Sequence, residues 1–185
     1  MKVEQSKLIG LLIISPDVFD DNRGWFTESY NKQKYQTLGI DVDFVQDNHS
    51  YSKDVGTLRG LHFQTGEFAQ SKLVRCVRGR LMDVCVDLRK DSPTYLQWDA
   101  IELSEENKLQ IFVPKGFGHG FITLSEDVEI MYKVDAFYSR EHDSGIRFDD
   151  PDINIDWNSI LPNTKFILSD KDKQLKTFKE LNLDF

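Results

Sequence analysis

Two neighbouring segments, Leu58-Arg59-Gly60-Leu61-His62-Phe63-Gln64 and Lys72-Leu73-Val74-Arg75, carry the pattern that decides the fold. Apolar residues stand between polar ones in both segments, which indicates β-strands, and the glycine of the first stands where a bulge is expected. The same segments bring a histidine, an arginine and a lysine close together. Histidine moves protons at neutral pH, and the two cations can hold an oxyanion or a phosphate. The pattern predicts proton transfer on an anionic substrate; the alternative is a strand with a solvent-facing polar edge.

Short strand-like runs separated by turns continue on both sides of these segments. Strands are predicted over residues 8–15, 25–30, 44–48, 57–64, 72–78, 80–88, 98–103, 110–113, 120–124, 128–134 and 145–148. Their even spacing predicts a mainly β sandwich, barrel or jelly roll. Two short helices are expected, one over residues 31–39 and one from Ser169 to about Leu181. No linker or repeat interrupts the pattern, so residues 1–185 are predicted to form a single domain.

Composition excludes several classes of function. The chain has 185 residues and a formal net charge of -8, which argues against general binding of nucleic acid. No apolar run is long enough to span a membrane, and the first residues contain no apolar leader, so we expect a cytoplasmic protein. The two cysteines, Cys76 and Cys85, lie on consecutive predicted strands and are expected to be reduced core residues.

Alternation along the predicted strands indicates which side chains share a face. Lys72, Val74 and Cys76 fall on one face of their strand. Strict alternation puts Arg59 and His62 on opposite faces of theirs. The two can reach one site only if Gly60 carries a bulge or if the arginine reaches round a strand edge, and the sequence leaves both possibilities open.

The four histidines do not form a metal-binding pattern. Gly60 and Gln64 flank His62 at the positions where a metal-binding strand would carry further ligands, and His119 has no second ligand at short spacing. The glycines around His119 also lack the full dinucleotide-binding spacing. We therefore predict no metal and no cofactor, so that any chemistry must be performed by side chains.

His62 as a general base needs an acceptor that orients its other ring nitrogen, and Asp172 and Asp83 are both candidates. Ser169 and Asp172 have the spacing of a helix capping box, in which the aspartate would serve only the start of the helix. On spacing alone the cap is the simpler interpretation of Asp172.

Three further groups have a chemical and a plain structural interpretation. Tyr132 can donate a proton or can be a core tyrosine with its hydroxyl at the surface. Lys72 can stabilise an oxyanion or can be an ordinary strand lysine. The cations that could bind phosphate, or could be plain surface charge, are Arg23, Arg59 and Lys171.

Five motifs occurring together and in order resemble the dTDP-4-dehydrorhamnose 3,5-epimerase family. They are Phe44-Val45-Gln46-Asp47-Asn48-His49-Ser50, Leu58-Arg59-Gly60-Leu61-His62-Phe63-Gln64, Lys72-Leu73-Val74-Arg75, Pro114-Lys115-Gly116-Phe117-Gly118-His119-Gly120-Phe121 and Leu168-Ser169-Asp170-Lys171-Asp172. The resemblance implies a cupin-type double-stranded β-helix (jelly roll) with a few short helices. It also implies a homodimer with strands exchanged near the N-terminus, and no metal or redox cofactor.

The resemblance further implies an isomerase that converts dTDP-4-dehydro-6-deoxy-D-glucose to dTDP-4-dehydro-L-rhamnose for the polysaccharides of the cell surface. His62 would remove the C3 and C5 protons with Asp172 as its partner, Tyr132 would be the acid on the opposite face, and Lys72 would stabilise the enolate. This reverses the preference for a mere cap at Asp172, which can serve both roles. The positions that match substrate-binding residues are Phe19, Arg23, Glu28, Gln46, Asp47, Asn48, Arg59, His119, Tyr138, Asp143 and Lys171.

Rival functions remain open at the level of sequence. An enzyme on the same scaffold could epimerise one carbon only or isomerise the ketone, and Tyr132 is the residue that discriminates, because double inversion needs its acid. A non-catalytic binder of sugar nucleotides would have no need of His62, Lys72 and Tyr132 together. A metal-dependent cupin oxygenase would need a stoichiometric metal ion.

Overall fold

Antiparallel strands are the main regular element of the computed structural model, which describes residues 1–181 and residue 183. The strands are β1 (Lys2–Gln5), β2 (Leu12–Ser15), β3 (Val18–Asp21), β4 (Gly24–Thr27), β5 (Gln46–Ser52), β6 (Leu58–Gln64), β7 (Lys72–Arg78), β8 (Arg80–Asp87), β9 (Trp98–Ser104), β10 (Gln110–Val113), β11 (Phe117–Thr123), β12 (Val128–Val134) and β13 (Asp143–Gly145). The helices are α1 (Lys32–Thr37), α2 (Trp157–Ile160) and α3 (Asp170–Lys173), with 3-10 turns at Gly66–Phe68 and Phe178–Glu180. None of these helices is long and apolar enough to cross a membrane, within the described residues.

Two large sheets face each other across the main core. One has the strand order β1-β2-β10-β7-β12-β5 and the other β13-β6-β11-β8-β9, so that the chain passes back and forth between the sheets. Val74 and Ile111 of the first sheet pack against Cys85 and Phe121 of the second. Burial of this apolar surface is the main favourable contribution to stability. The predicted jelly-roll architecture with a few short helices is confirmed, and both cysteines are buried and free.

The outer faces of both sheets are covered as well. The segment after β13 places Ile153 and Trp157 against Leu61 of β6, and α1 places Tyr35 against Leu73 of β7. A layer on each side fixes the two sheets relative to each other. Side chains that line the space between the sheets are therefore held on rigid elements.

A bulge at Gly60 answers the question that alternation left open. His62 pairs with His119 of β11, whereas Arg59 pairs with Phe121, so three steps on β6 oppose two on β11. The extra residue turns Arg59 and His62 to the same face, and both line one cavity. Gly60 has φ +120°, and a Cβ atom there would lie 2.6 Å from a Cα atom of β11. The position therefore requires glycine.

The predicted strand over residues 8–15 was too long at its beginning. Only Leu12–Ser15 is a strand, because the Leu11 amide bonds to the Leu8 carbonyl and closes a turn in which Gly10 has φ +92°. Strand β1, which pairs with β2, was not predicted. Its sequence is polar. It lies at the edge of a sheet, where side chains are little buried and an alternating apolar pattern is not required.

The last predicted helix was also too long. Helix α3 ends at Lys173, and the chain is extended at Lys176, which forms a parallel bridge with Ile146. Pairing with the sheet region replaces the helical hydrogen bonds that the sequence pattern allowed. The strand predicted from Gly120 instead begins at Phe117, because the intervening glycines lie within the ladder and allow close approach of β6.

Candidate active site

A cavity of about 500 Å³ lies between the two sheets and is lined by the residues that are candidates for catalysis. Arg59 and His62 enter it from β6, His119 from β11, and Lys72 and Tyr132 from β7 and β12 of the opposite sheet. A neighbouring space of about 290 Å³ shares the walls formed by His62, Lys72 and Tyr132. The combined volume lies in the range typical of small-molecule sites.

His62 is paired with Asp172 at the edge of the cavity. Its Nε2 atom lies 2.7 Å from Oδ1 of the carboxylate, while its Nδ1 atom is buried and has no hydrogen-bond partner among the described residues. The aspartate favours the tautomer with a proton on Nε2, which leaves the lone pair of Nδ1 free. The pair therefore has the arrangement of an oriented general base.

Asp172 serves both the helix and the histidine. Ser169 caps α3 by accepting a hydrogen bond from the Asp172 amide at 3.1 Å, and its hydroxyl donates to Asp172 Oδ2 at 2.9 Å. Burial raises the pKa of Asp172, but the contacts with His62 and Ser169 outweigh it and hold that pKa below its usual value. The carboxylate stays ionised at neutral pH, as an orienting partner must.

Lys72 lies at the bottom of the cavity beside a second pair of this kind. Its Nζ atom is 3.4 Å from the His62 carbonyl oxygen and 3.5 Å from His119 Nδ1. His119 Nε2 lies 2.9 Å from both carboxylate oxygens of Asp83. A carboxylate only accepts, so Nε2 donates to it and Nδ1 accepts from the ammonium of Lys72. Asp83, a candidate partner for His62 at the level of sequence, belongs to His119 instead.

Burial lowers the pKa of Lys72 to about 8, although nearby acidic groups oppose the shift. Removal from water penalises the charged form of an amine. Lys72 is therefore mostly cationic at neutral pH but easily loses its proton above pH 8. A buried cation of this kind interacts strongly with an anion that forms beside it.

Asp83, Cys85 and His119 have donor atoms close enough together to hold a metal ion. Their contacts do not fit that use, because His119 Nε2 already faces both oxygens of Asp83 and the ammonium of Lys72 lies 3.5 Å from the same ring. A divalent cation there would be repelled by the lysine. The expectation of a metal-free site stays a prediction.

Tyr132 stands on the wall opposite His62. Burial raises the pKa of its phenol, and the charge of Arg59 only partly offsets this, so the hydroxyl keeps its proton at neutral pH. Arg59 is fixed by bonds to the Ser52 hydroxyl at 3.2 Å and to the Tyr51 carbonyl at 2.9 Å. The site thus contains a proton donor on β12 and an anchored cation on β6 of the opposite sheet.

Most of the predicted substrate-binding residues of the central strands lie around the two cavities. The second space is lined by Gln46, Asn48, Tyr138, Asp143 and Lys171. Asp47 is different, because alternation along β5 turns it to the outer face, where it pairs with Lys133 at 2.8 Å. The geometry of the single chain does not support a role for Asp47 in the cavity.

Phe19, Arg23 and Glu28 were also predicted to bind substrate, but they line neither cavity of their own chain. Phe19 and Arg23 belong to the β3–β4 hairpin, a separate two-stranded sheet, and Glu28 follows it. The arginine pairs with Asp21 at 2.6 Å, and the glutamate pairs with Lys34 at 2.6 Å. A single chain therefore does not bring these residues to His62.

Sequence reasoning missed two kinds of contribution to the cavity. Phe121 and Ile130 form apolar walls, and Ser169 bonds to the partner of His62. The position of Ile130, two residues before Tyr132 on one strand, was a usable signal for a shared face. Ser169 both caps α3 and bonds to the carboxylate that faces His62. This second contact depends on where α3 packs, which the spacing of residues in the sequence does not reveal.

The central cavity of this jelly roll holds a histidine paired with a carboxylate, a buried lysine and a largely buried tyrosine, which are groups suited to acid–base chemistry. The model of the family described as dTDP-4-dehydrorhamnose 3,5-epimerase matches residues 5–180. A protein of that name from Sinorhizobium fredii is 50% identical over 173 residues, which is 94% of this chain and 87% of the relative.

Solved structures agree with this match. An enzyme of the same name from Bacillus anthracis, with TDP and PPi bound, has a TM-score of 0.91 and 50% identity, covering 96% of this chain and 99% of that one. An epimerase from Legionella pneumophila in complex with dTDP-4-keto-L-rhamnose has a TM-score of 0.92 and 40% identity, covering 98% and 94%. The chain belongs to the dTDP-4-dehydrorhamnose 3,5-epimerase family and is an isomerase of the carbohydrate epimerase type.

Proposed function

We propose that this chain converts dTDP-4-dehydro-6-deoxy-D-glucose to dTDP-4-dehydro-L-rhamnose by inverting C3 and C5, in the pathway to dTDP-L-rhamnose and cell-surface polysaccharide. The proposal treats residues 1–185 as a single domain that needs no cofactor and works in the cytoplasm. One observation carries it: His62 and Tyr132 stand on opposite walls of one cavity, with Lys72 at its base. Inversion of a carbon requires a base on one face and an acid on the other.

Each inversion follows from these positions. His62 Nδ1 takes the proton from the carbon next to the C4 ketone, and the electron pair of that C–H bond forms an enolate whose oxygen carries the charge. Lys72 stabilises this oxygen. At C5 the Tyr132 hydroxyl then delivers a proton to the opposite face of the carbon and restores the ketone, whereas at C3 the proton is supplied by water. His62 is left protonated and, after the step at C5, Tyr132 ionised, and exchange with water returns both to their starting states.

Arg59 and Lys171 are proposed to bind the diphosphate, and the second space to hold the nucleoside. Gln46 and Asn48 are joined by a hydrogen bond of 2.9 Å and offer amide groups to a pyrimidine. Tyr138 is 58% exposed at the same place, with a ring face available for stacking. Amides and aromatic rings are suited to a nucleoside base.

Exchange in deuterated water tests the function. The protein is incubated with dTDP-4-dehydro-6-deoxyglucose, and the C3 and C5 protons are followed by NMR. The proposal expects deuterium at both carbons with inverted configuration. Deuterium at C3 alone would instead show an enzyme that epimerises one carbon, and dTDP binding without any exchange would show a binding protein.

Replacing Tyr132 by phenylalanine removes the acid and leaves the base in place. We expect exchange at C3 to continue, while inversion at C5 falls by about 10²-fold, the usual size of a general acid's contribution. The same NMR experiment measures both carbons in one sample. Equal loss at C3 and C5 would contradict the assignment of Tyr132 to the proton at C5.

A homodimer is proposed because the β3–β4 hairpin carries apolar surface that its own chain does not cover. Phe19, Trp25 and Phe26 are 61%, 58% and 67% exposed. An isolated two-stranded hairpin is marginally stable in water, and clustered exposed aromatic residues indicate an interface. We propose that the hairpin docks at the cavity of a second copy, which would bring Phe19 and Arg23 to that copy's substrate.

Mixing two inactive variants tests the exchange of hairpins. His62→Ala removes the base and Arg23→Ala removes the hairpin cation, so neither homodimer should work well. A hybrid dimer retains one complete site, formed by the His62 of one chain and the Arg23 of the other. Unfolding and refolding an equal mixture should restore roughly a quarter of wild-type activity. Activity no higher than the mean of the separate variants would mean that each chain completes its own site.

A further inference from the structure

The side-chain amide of Gln64 joins two loops beside the cavity. Gln64 ends β6, is 4% exposed, and stands two residues after His62. Its Nε2 atom donates to the carbonyl oxygens of Phe68 at 2.8 Å and Phe137 at 3.1 Å, and its Oε1 atom accepts from the Ser139 amide at 2.6 Å. Both N–H groups and the oxygen of this one side-chain amide therefore form hydrogen bonds with backbone atoms.

The segment 135–143, which runs from the end of β12 to the first residue of β13, depends on such polar contacts. Phe137 is 63% exposed and Tyr138 is 58% exposed, so the apolar side chains at its centre add little anchoring. Gln70 bonds to the Ala136 carbonyl at 2.7 Å near one end, and the His142 carbonyl accepts from the Thr65 amide at 3.0 Å near the other. Gln64 holds the middle through the Phe137 carbonyl and the Ser139 amide, and no other side chain of the described residues bonds to these two groups.

This segment also forms one wall of the space proposed for the nucleoside. The Tyr138 hydroxyl donates to Asp143 Oδ2 at 3.1 Å, and Lys171 donates to the same oxygen at 2.5 Å. Lys171 directly precedes Asp172, the partner of His62. Displacement of the segment would therefore move the binding wall, while His62 and Lys72 stay fixed on their strands.

We propose that Gln64 is a positioning residue that fixes the segment 135–143 so that Tyr138 and Asp143 form the nucleotide side of the site. The inference rests on the proposed function for its effect on turnover. It predicts that Gln64 governs binding of the nucleotide sugar and leaves the proton transfers intact. A residue that served stability alone would change the amount of folded protein and leave KM unchanged.

The test uses Gln64→Glu, which keeps the shape but turns a carboxylate toward two carbonyl oxygens, and Gln64→Met, which removes all three bonds. Gln97→Glu is the matched control, because its exposed amide also donates to a backbone carbonyl, that of Pro93 at 3.4 Å. KM, kcat, the Kd of dTDP and hydrogen exchange of the segment 135–143 are measured for each.

We expect both Gln64 variants to raise KM and the Kd of dTDP by about tenfold or more, with kcat within about threefold, since two backbone carbonyl groups lose their partner in each variant. Gln64→Met also removes the partner of the Ser139 amide. Amides of the segment 135–143 should exchange faster, whereas those of β7 should not change. Unchanged KM and Kd, or a fall in kcat alone, would overturn the inference. If Gln64→Met does not fold, Gln64→Glu decides.

Failure of the proposed function would be recognised separately. In that case the wild-type protein would not turn over the 4-keto sugar at all. Hydrogen exchange of the segment 135–143 and the Kd of dTDP would still decide the role of Gln64, because neither depends on catalysis. Unchanged exchange in both Gln64 variants would then refute the positioning role.

Discussion

Replacing His62 by alanine should lower turnover of the 4-keto sugar by about 10³- to 10⁴-fold, the upper range for loss of a general base. Its Nδ1 atom is buried and has no hydrogen-bond partner in the described part of the chain, and Asp172 lies 2.7 Å from the other ring nitrogen. Without the imidazole, deuterium should appear at neither C3 nor C5. The Kd of dTDP should stay within about threefold, because the proposed nucleotide contacts lie on other residues.

Two further variants separate the base from its surroundings. His62→Gln keeps an N–H group that can face Asp172 but offers no base at neutral pH, so it should be as inactive as alanine. His49→Ala removes a histidine outside the cavity, where Nε2 pairs with Glu129 at 2.9 Å, and should remain active. Substantial exchange at C3 in both His62 variants would remove this histidine from the mechanism.

The sequence identified candidate reacting groups but left their arrangement open. The side chains of His62, Lys72 and Tyr132 are types that suit proton transfer, and the structure brings all three to one cavity. Alternation alone, however, separated Arg59 from His62. Their common face depends on the bulge at Gly60, which exists because β11 approaches β6 closely, and this contact is between strands far apart in the chain.

The pairing of carboxylates with histidines shows the same limit. Asp83 and Asp172 were both possible partners of His62, and nothing local distinguishes them. The choice follows from the ladder, in which β8 pairs His119 with Cys85 and so leaves Asp83 next to His119. It follows also from the docking of α3, which brings Asp172 from a distant part of the chain. Tertiary register decides what spacing leaves open.

The hairpin residues show a limit of the single chain. The resemblance to the family assigned Phe19 and Arg23 to substrate binding. Within one copy, however, both lie on a separate sheet and do not line the substrate cavity. The proposed second copy would resolve the conflict, because exposed aromatic residues and a cation are what an exchanged arm would present. The position of Asp47 on the outer face was, by contrast, readable from alternation with Gln46 and Asn48.

Replacing Lys72 by methionine should abolish most activity and at the same time stabilise the fold. The proposed enolate loses the cation beside its oxygen, so kcat should fall by about 10²- to 10³-fold, as for loss of other groups that stabilise an oxyanion. Exchange at both carbons should fall together, since both pass through the same enolate. Lys165→Met, a change of the same kind at an exposed lysine, should leave kcat unchanged.

The gain in stability follows from the pKa of Lys72, which burial lowers from 10.5 to about 8. The folded protein holds this proton less tightly than the unfolded chain. The full free-energy cost of burying the charged lysine is therefore present below pH 8. That cost disappears as pH rises past 10.5. Lys72→Met should therefore raise the free energy of unfolding by about 2–3 kcal/mol at pH 7, and by progressively less above pH 8.

Chemical unfolding of both proteins at pH 7 and pH 10 measures this difference directly. Wild-type kcat should also decline above pH 8 as Lys72 loses its proton, because a neutral amine no longer offsets the enolate charge. A variant that is both inactive and more stable would identify Lys72 as a charge kept in the interior for catalysis. A variant less stable than wild type at pH 7 would show instead that contacts of the ammonium with His119 and the His62 carbonyl hold the site together.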